Sequence, residues 1–329
     1  MKRTLTALAV IVAASAAGAY WYLDSKQPQR AGELSLSSLQ APVTVDYDER
    51  GVPHIQAQNE TDMYRALGYV HAQDRLFQME ILRRLARGEL AEILGSKLVD
   101  TDRLFRTLGL REHADRYAAQ MDMTTPASQA LQAYLDGINQ YQANRPAPLE
   151  FDVLGIEKRP FTAADTISIA GYMAYSFAAA FRTEPVLTHI RDQLGADYLK
   201  AFDLDWHPQG VVGQHLAAGD WQDLNAIAEL SHAALLNAGL PQFEGSNAWA
   251  VAGSRTASGK PLLAGDPHIR FAVPSVWYEA NLSYPGFSLY GHHQALNPVA
   301  SLGHNKAFAW SITMFQNDDL DLIAETTNP

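Results

Sequence analysis

The spacing of apolar residues changes once along this chain, and that change constrains the fold more than any other feature. Apolar residues follow a helical stripe from Thr61 until Gly88 interrupts it. Runs with a two-residue period dominate only after about residue 245. The first part of the chain is therefore expected to be helix-rich and the last part to form strands. The helices are predicted at residues 61–88, 89–94, 103–120, 128–143, 162–181 and 221–236.

Local signals refine these predictions. Residues 43–47 and 52–57 flank a Glu-Arg-Gly turn and predict a hairpin, with Pro53 marking the second strand as an edge strand. Thr162 and Asp165 resemble a capping box at the start of a largely apolar helix. A turn-rich segment around residues 256–261 predicts a second hairpin. Further strands are predicted at residues 276–278, 287–290 and 308–312.

The N-terminus has the pattern of an export sequence. Lys2 and Arg3 precede an apolar run from Leu5 to Leu23, with small residues at 17–19 that suit a signal-peptidase cut. The run is also about as long as the ~20 residues that span a bilayer. A removed signal and a retained membrane anchor both fit residues 1–30. A buried core helix fits less well, because the run follows two cations at the chain terminus.

The composition excludes several classes of function. The chain has 329 residues and a formal charge of -11, and it lacks a long basic block that could follow phosphates, so nucleic acid is not an expected partner. It contains no cysteine, which excludes disulfides, thiolate nucleophiles and zinc-thiolate sites. The sequence contains neither a Gly-x-Ser-x-Gly elbow nor a His-Glu-x-x-His motif. An amide hydrolase of this composition would need another kind of nucleophile.

A serine at a newly formed chain terminus is one such nucleophile. Its own α-amine, with a reference pKa of about 8, can accept the hydroxyl proton near neutral pH. A small preceding residue lets the hydroxyl reach the preceding carbonyl, and the serine is expected to begin a strand. Gly245-Ser246 lies where the strand pattern starts. The dipeptide alone is unspecific, because Gly95-Ser96 and Gly253-Ser254 also occur and such pairs are usually turns.

Four longer motifs carry a resemblance to a known family. Residues 244–249 (EGSNAW) and 265–268 (GDPH) resemble the start of the β chain in the penicillin acylase family of N-terminal nucleophile hydrolases. Residues 48–55 (DERGVPHI) and 66–79 (ALGYVHAQDRLFQM) resemble the start of its α chain. The similarity runs in matching order from about Val43 to the last residue.

The resemblance implies an α+β fold, an αββα sandwich of which this chain carries the helix-rich α-chain region and the first strands of the β chain. It also implies an exported precursor that is cut into two chains, which assemble as a heterodimer in the periplasm or outside the cell. The apolar N-terminus is compatible with an anchor in the inner membrane. The expected divisions are a signal or anchor at 1–30, the α-chain region at 31–210, a spacer at 211–245 and the β-chain start at 246–329. We expect the β chain to continue past Pro329.

The same resemblance assigns roles to single residues. Ser246 matches the serine that is both cleavage site, after Gly245, and nucleophile. His268 matches the residue beside the nucleophile, where penicillin G acylases have glutamine and other members have histidine; a histidine that merely ends a turn is the alternative. Met314 matches the residue whose main-chain N–H forms half of the oxyanion hole, and the asparagine that forms the other half would lie beyond Pro329.

A structural calcium site is also implied. Asp318 and Asp321 match its carboxylates, Leu320 its carbonyl ligand, and Glu184 its α-chain carboxylate with a one-residue insertion in the alignment. Hard oxygen donors suit calcium better than zinc. A solvated acidic turn is the alternative reading. No organic cofactor is expected.

The positions that match the family's acyl pocket are more aliphatic than aromatic. This favours a fatty-acyl amide, such as an acyl-homoserine lactone, over a phenylacetyl group. Penicillin or cephalosporin acylase activity, a non-catalytic membrane-anchored binding protein and a metal-dependent hydrolase are the alternatives. The residues His71, Asp74, Arg75, His292, His293 and His304 are interpreted as core, loop or buried-network residues rather than catalytic groups. The pocket positions are Met173, Phe177, Ile269, Leu302 and Ile312.

Overall fold

The structure is a computed structural model. It divides into two compact units, and each is considered by itself. The first contains residues 1–83, 115–167 and 274–310, and the second contains 84–114, 168–273 and 311–329. The residues that the structure describes are 2–177, 180–202, 218–237, 239 and 243–313.

Within those residues, ten α-helices and eight strands are present. The helices are α1 (Lys2–Ser25), α2 (Glu60–Arg87), α3 (Ala91–Leu94), α4 (Val99–Thr107), α5 (Leu110–Ala119), α6 (Pro126–Asn144), α7 (Leu149–Leu154), α8 (Ala163–Phe177), α9 (Ala180–Leu194) and α10 (Ala218–Asn237). The strands are β1 (Thr44–Tyr47), β2 (Pro53–Gln56), β3 (Phe243–Val251), β4 (Leu262–Ile269), β5 (Trp277–Tyr284), β6 (Phe287–Gln294), β7 (Ala300–Asn305) and β8 (Ala309–Trp310). Short 3-10 helices lie at Ser96–Leu98, Ala196–Phe202 and Gly253–Arg255.

The first unit is built on a six-stranded mixed sheet with the order β1-β2-β5-β6-β7-β8. Only β2 and β5 pair in parallel, and Ile55 lies opposite Leu282 in that pair. Every other neighbouring pair is antiparallel. Residues 278, 280 and 282 of β5 are buried and alternate with partly exposed ones, so one face of this strand faces the core.

Two glycines allow helices α2 and α6 to touch main chain to main chain. A β-carbon at Gly68 would lie 1.9 Å from the carbonyl oxygen of Tyr134. A β-carbon at Gly137 would lie 2.0 Å from the carbonyl oxygen of Arg65. Neither position could hold a larger side chain without separating the helices. The fully buried Leu67 and Ile138 pack beside this crossing.

A stacked pair connects α2 to the sheet. The ring of His71 lies 4.2 Å from that of Tyr278 at an interplanar angle of 10°. Nδ1 of His71 lies 2.8 Å from the Tyr134 hydroxyl, so the imidazole also contacts α6. The Tyr278 hydroxyl donates to the Asp74 carboxylate over 3.0 Å. This geometry agrees with the interpretation of His71 and Asp74 as members of a buried polar network.

The second unit contains the β3–β4 hairpin and a group of helices. Helix α10 packs against α4 and α9. The ring of Phe105 contacts Tyr172 and Tyr175 edge to face, at 6.0 and 5.2 Å between centroids. The Tyr175 hydroxyl lies 2.6 Å from the hydroxyl of Ser231 on α10. The segment predicted to be a spacer, with one helix at 221–236, therefore includes a helix of 20 residues with buried contacts.

Most local predictions agree with the structure. The α2 stripe, the two hairpins and the capping box are present, and the main-chain N–H of Thr162 donates to Asp165 over 2.9 Å. The prediction of one helix at 103–120 is wrong, because the chain forms α4 and α5 with a break at Gly109, where φ is +69°. A left-handed residue ends a helix, and only glycine adopts that conformation without steric cost.

Two strand predictions need correction. Pro53 does not mark an edge strand, because β2 pairs with β1 on one side and β5 on the other. Proline is tolerated there as the first residue of β2, since the pairing with β5 begins only at His54. Strand β7 was not predicted, and it contains His304. The α+β class is confirmed, with a sheet that is only partly built by the described residues.

Helix α1 is long and apolar enough to cross a membrane. Its residues Thr4–Ser25 have a mean hydropathy of 1.6, and the side chains are exposed. An export signal near an N-terminus passes the same test. The helix agrees with either of the two interpretations of residues 1–30.

Candidate active site

The β3–β4 hairpin brings together three of the residues that the sequence singles out. Gly245 lies opposite His268 in the antiparallel register, and Ser246 lies opposite Pro267. A β-carbon at Gly245 would lie 3.5 Å from Nδ1 of His268, an ordinary contact distance. The imidazole therefore lies directly beside the residue that precedes Ser246.

Ser246 does not begin a strand, contrary to the expectation. It is the fourth residue of β3, which starts at Phe243. Residues on both sides of the Gly245-Ser246 peptide bond pair with β4. Breaking that bond would leave Ser246 as the first residue of the remaining strand.

The hydroxyl of Ser246 forms a reciprocal pair of hydrogen bonds with Thr313. Oγ of Ser246 donates to Oγ1 of Thr313 over 3.1 Å. Oγ1 of Thr313 in turn donates to the carbonyl oxygen of Ser246 over 3.1 Å. Both distances are slightly longer than the range of about 2.5 to 3.0 Å that is usual between hydroxyl and other oxygen atoms. Thr313 therefore contacts both the side chain and the main chain of the candidate nucleophile.

The segment that carries Thr313 packs on a glycine of β4. A β-carbon at Gly265 would lie 1.8 Å from Oγ of Ser311 and 2.7 Å from its β-carbon. The Ser311 hydroxyl oxygen is buried and has no hydrogen-bond partner in the described part of the chain. Only glycine at position 265 leaves room for this approach.

His268 is held by two neighbours on the hairpin. Nε2 of His268 lies 3.3 Å from Oδ2 of Asp266 and 3.1 Å from the side-chain amide of Asn247. The main-chain N–H of Asn247 donates to Oδ1 of Asp266 over 3.1 Å. The Asn247 amide nitrogen can only donate to Nε2, whereas the Asp266 carboxylate can only accept from it, so the two neighbours favour opposite tautomers of a neutral ring. Nδ1 is the nitrogen that lies near Gly245.

The predicted pocket positions lie on several elements. Met173 and Phe177 lie one turn apart on α8. Ile269 ends β4, and Ile312 lies between the residues that contact Gly265 and Ser246. Leu302 lies on β7, in the first unit. All five side chains are partly exposed, and their joint role as a pocket stays a prediction.

The metal and oxyanion positions fall mostly outside the described residues. Met314, Asp318, Leu320 and Asp321 all belong to that remainder, whereas Glu184 lies on α9 with a partly exposed side chain. Among residues 2–177, 180–202, 218–237 and 243–313, no group of three or more His, Asp or Glu side chains could hold a metal ion. The calcium site stays a prediction.

Sequence reasoning missed the residues that contact the candidate nucleophile and histidine. The sequence analysis does not single out Thr313, and it includes Asn247 and Asp266 only as parts of the motifs at 244–249 and 265–268. No local pattern marks Thr313, because it lies 67 positions from Ser246 in the chain. For Asp266 a signal exists, since alternate residues of one strand share a face with His268.

The chain is similar in sequence to proteins of known activity. The sequence profile of the penicillin amidase family matches residues 42–329. The penicillin acylase 2 proenzyme of Pseudomonas sp. (strain SE83) is 35% identical over 92% of this chain and 40% of its own length. The acyl-homoserine lactone acylase QuiP of Pseudomonas aeruginosa (strain PAO1) is 30% identical over 92% of this chain and 36% of its own. Penicillin G acylase of Escherichia coli is 26% identical over 93% of this chain and 42% of its own.

Among solved structures, a thermostable penicillin G acylase from Alcaligenes faecalis is 28% identical and matches with a TM-score of 0.39. That match covers 54% of this chain and 97% of the other. The chain spans only about two fifths of the length of the curated relatives, at 40%, 36% and 42%. The profile match covers the α-chain motifs, the β3–β4 hairpin and Thr313 in one continuous stretch. The chain belongs to the penicillin amidase family.

Proposed function

We propose that this chain belongs to a self-processing amidohydrolase that hydrolyses a linear amide through an acyl-enzyme on Ser246. The geometry at Ser246 carries the proposal. The serine follows a glycine, lies in β3 beside His268, and has its hydroxyl held by Thr313. The family membership and the acylase names of the relatives support the reaction class.

Self-cleavage would proceed as an N-to-O acyl shift. Oγ of Ser246 attacks the carbonyl carbon of Gly245, the bond from that carbon to the Ser246 nitrogen breaks, and an ester forms. The nitrogen takes up the hydroxyl proton and becomes the α-amine. Water then hydrolyses the ester, which releases the Gly245 carboxyl group and restores the serine hydroxyl.

Turnover of substrate would use the products of that cleavage. Ser246 attacks the carbonyl carbon of the substrate amide, and its α-amine accepts the hydroxyl proton and passes it to the leaving amine. Water hydrolyses the resulting acyl ester and releases the carboxylic acid. We assign His268 to the nucleophile's surroundings and the main-chain N–H of Met314 to stabilisation of the oxyanion.

The proposal includes a division of the chain. Residues 1–30 direct export or anchor the protein, residues 31–210 form the α-chain region, 211–245 form a spacer and 246 onward forms the β chain. The exposed apolar helix α1 supports export to the periplasm or beyond. The α and β chains would remain together as a heterodimer.

A calcium ion is proposed as a structural component. Glu184, Asp318, the carbonyl of Leu320 and Asp321 would hold it through oxygen atoms, as calcium prefers. The ion would fix the acidic segment in place and take no part in the chemical step. Chelation is therefore expected to lower thermal stability before it lowers the turnover of intact enzyme.

For the substrate, we propose a fatty-acyl amide such as an acyl-homoserine lactone. The aliphatic character of the pocket positions supports this choice, with Met173, Ile269 and Ile312 among them. A relative named acyl-homoserine lactone acylase also supports it. Hydrolysis rates for a long-chain acyl-homoserine lactone and for penicillin G, measured side by side, test the choice. A higher kcat/KM for penicillin G would reverse it.

The central experiment is N-terminal sequencing of the full-length precursor after export. Wild-type protein should yield a second chain that begins at Ser246, and Ser246→Ala should stay uncut and inactive. Ser254→Ala is a matched control, because Ser254 also follows a glycine but lies in the Gly253–Arg255 3-10 helix. It should be cut normally. An uncut wild-type chain that binds acyl amides without turnover would instead indicate a membrane-anchored binding protein.

A further inference from the structure

Thr313 is the residue for which the structure suggests a role that the resemblance does not supply. Its hydroxyl forms hydrogen bonds with Ser246 in both directions, at 3.1 Å each. The side chain of Thr313 is exposed, so burial alone does not explain this contact. An exposed hydroxyl can form its hydrogen bonds with water, so it does not need Ser246 as a partner.

The direction of the two hydrogen bonds fixes the orientation of the nucleophile. Thr313 has a single hydroxyl proton, and it donates that proton to the carbonyl oxygen of Ser246. Towards Oγ of Ser246 it can therefore only accept. The Ser246 proton then points at Thr313, and the lone pairs of Oγ point away from it.

The position of Thr313 is itself fixed. Two residues earlier, Ser311 lies against Gly265 of β4, closer than any β-carbon at that position would permit. Segment 311–313 therefore contacts both strands of the hairpin: Ser311 packs against Gly265 of β4, and Thr313 binds Ser246 of β3. Met314, to which we assign an oxyanion donor, is the next residue in the chain.

We propose that Thr313 is a positioning residue: it holds the Ser246 hydroxyl in one rotamer for self-cleavage, and after cleavage its hydrogen bond to the Ser246 carbonyl keeps the serine in place for turnover while the new α-amine takes over the hydroxyl proton. This inference rests on the proposed function of Ser246. Small errors of position are costly in such steps, since misplacement by about 1 Å can slow a reaction about a hundredfold.

The test uses the full-length precursor with three variants. Thr313→Val keeps the shape of the side chain but removes the hydroxyl, and Thr313→Ser keeps the hydroxyl. Thr107→Val is the control, because the Thr107 hydroxyl also donates to a main-chain carbonyl, that of Arg103, over 2.8 Å on an exposed helix. The measurements are the self-cleavage rate, kcat and KM of processed enzyme, and Tm.

Thr313→Val should slow self-cleavage about tenfold or more and lower kcat with little change in KM or Tm, while Thr313→Ser restores both rates. Thr107→Val should behave as wild type. Wild-type rates in Thr313→Val, failure of Thr313→Ser to restore them, or a rate loss that only follows a fall in Tm would each overturn the inference. Ser246→Ala measured alongside separates the two proposals, because processing in that variant would overturn the role of Ser246 itself.

Discussion

The side chain of Ser311 fills the space beside Gly265 where a larger residue would place its side chain: a β-carbon at position 265 would lie 1.8 Å from Oγ of Ser311. This contact positions the whole 311–313 segment, because Thr313 follows Ser311 by two residues and forms a hydrogen bond with Ser246. The absence of a side chain at one position in β4 therefore decides how close the 311–313 segment lies to the candidate nucleophile.

Replacement of Gly265 by alanine is expected to impair processing. The added methyl group overlaps both Oγ and the β-carbon of Ser311, so the segment must move away from β4 and take Thr313 with it. Overpacking of this kind costs about 1 to 3 kcal/mol of stability. Self-cleavage should slow as well, and densitometry of precursor and product over time would measure it.

A second change should relieve this effect. Ser311→Gly in the Gly265→Ala background removes both atoms that the new methyl group meets, so processing should recover in the double variant. Ser311→Gly alone serves as the reference for the recovery. A double variant as slow as Gly265→Ala would show that the contact does not position the segment.

Replacement of Gly68 by alanine should destabilise the first unit. The new β-carbon would meet the Tyr134 carbonyl oxygen at 1.9 Å, and a main-chain atom cannot rotate away. The overlap should outweigh the roughly 1 kcal/mol that alanine gains over glycine in a helix. We expect a net loss of about 2 kcal/mol or more in the free energy of unfolding, measured in urea.

Gly171→Ala provides the matched control for that variant. Gly171 also lies within a helix, but its nearest neighbour would be Cδ2 of Leu110 at 3.3 Å, the end of a flexible side chain. Its stability should stay near wild type or rise slightly. Equal destabilisation by both substitutions would contradict the importance of the α2–α6 crossing.

Acid should weaken the first unit through buried histidines. Burial lowers the pKa of His293 to about 4, and burial also lowers the pKa of His71 well below its usual value. Above a pH of about 6.5 these residues are neutral in both folded and unfolded chains. Between pH values of about 6.5 and 4, His293 takes up a proton only in the unfolded chain. The free energy of unfolding should therefore decrease as the pH is lowered, by up to about 3 kcal/mol for this residue.

Urea titrations at several pH values would measure this effect, with His293→Phe compared with the wild type. His293 is fully buried. The acid dependence should become flatter in His293→Phe. An unaltered slope in His293→Phe would refute the assignment.

Asp266→Asn is expected to reduce self-cleavage and turnover. The Asp266 carboxylate accepts hydrogen bonds from the Asn247 main chain and lies beside Nε2 of His268. An amide there removes the negative charge beside Nε2 and can place a second donor against that nitrogen, which would turn the imidazole away from its position beside Gly245. A decrease of roughly tenfold or more in both rates is expected, because the imidazole lies directly beside the bond that is cut and small errors of position there are costly. Asp122→Asn, at an exposed turn, should leave both rates unchanged.

The local features of this fold could be predicted because their causes lie within a few residues. The apolar stripe of α2 repeats every three or four residues. The two members of the capping box, Thr162 and Asp165, are three residues apart. The alternation in β5 and β6 and the β3–β4 hairpin arise from the same kind of short-range pattern. The family resemblance added Ser246 and His268, which a Gly-Ser pair and a lone histidine would not have identified.

The sequence by itself determined most of the elements, the change from helices to strands along the chain, and the residues around the Gly245-Ser246 bond. Only the tertiary structure decided that β2 lies between β1 and β5, that Gly68 and Gly137 carry a helix crossing, and that Thr313 contacts Ser246. The reason is physical. Periodicity and capping depend on neighbours in the chain, whereas His54 and Asn281 pair across 227 positions, and that register depends on how the whole core packs.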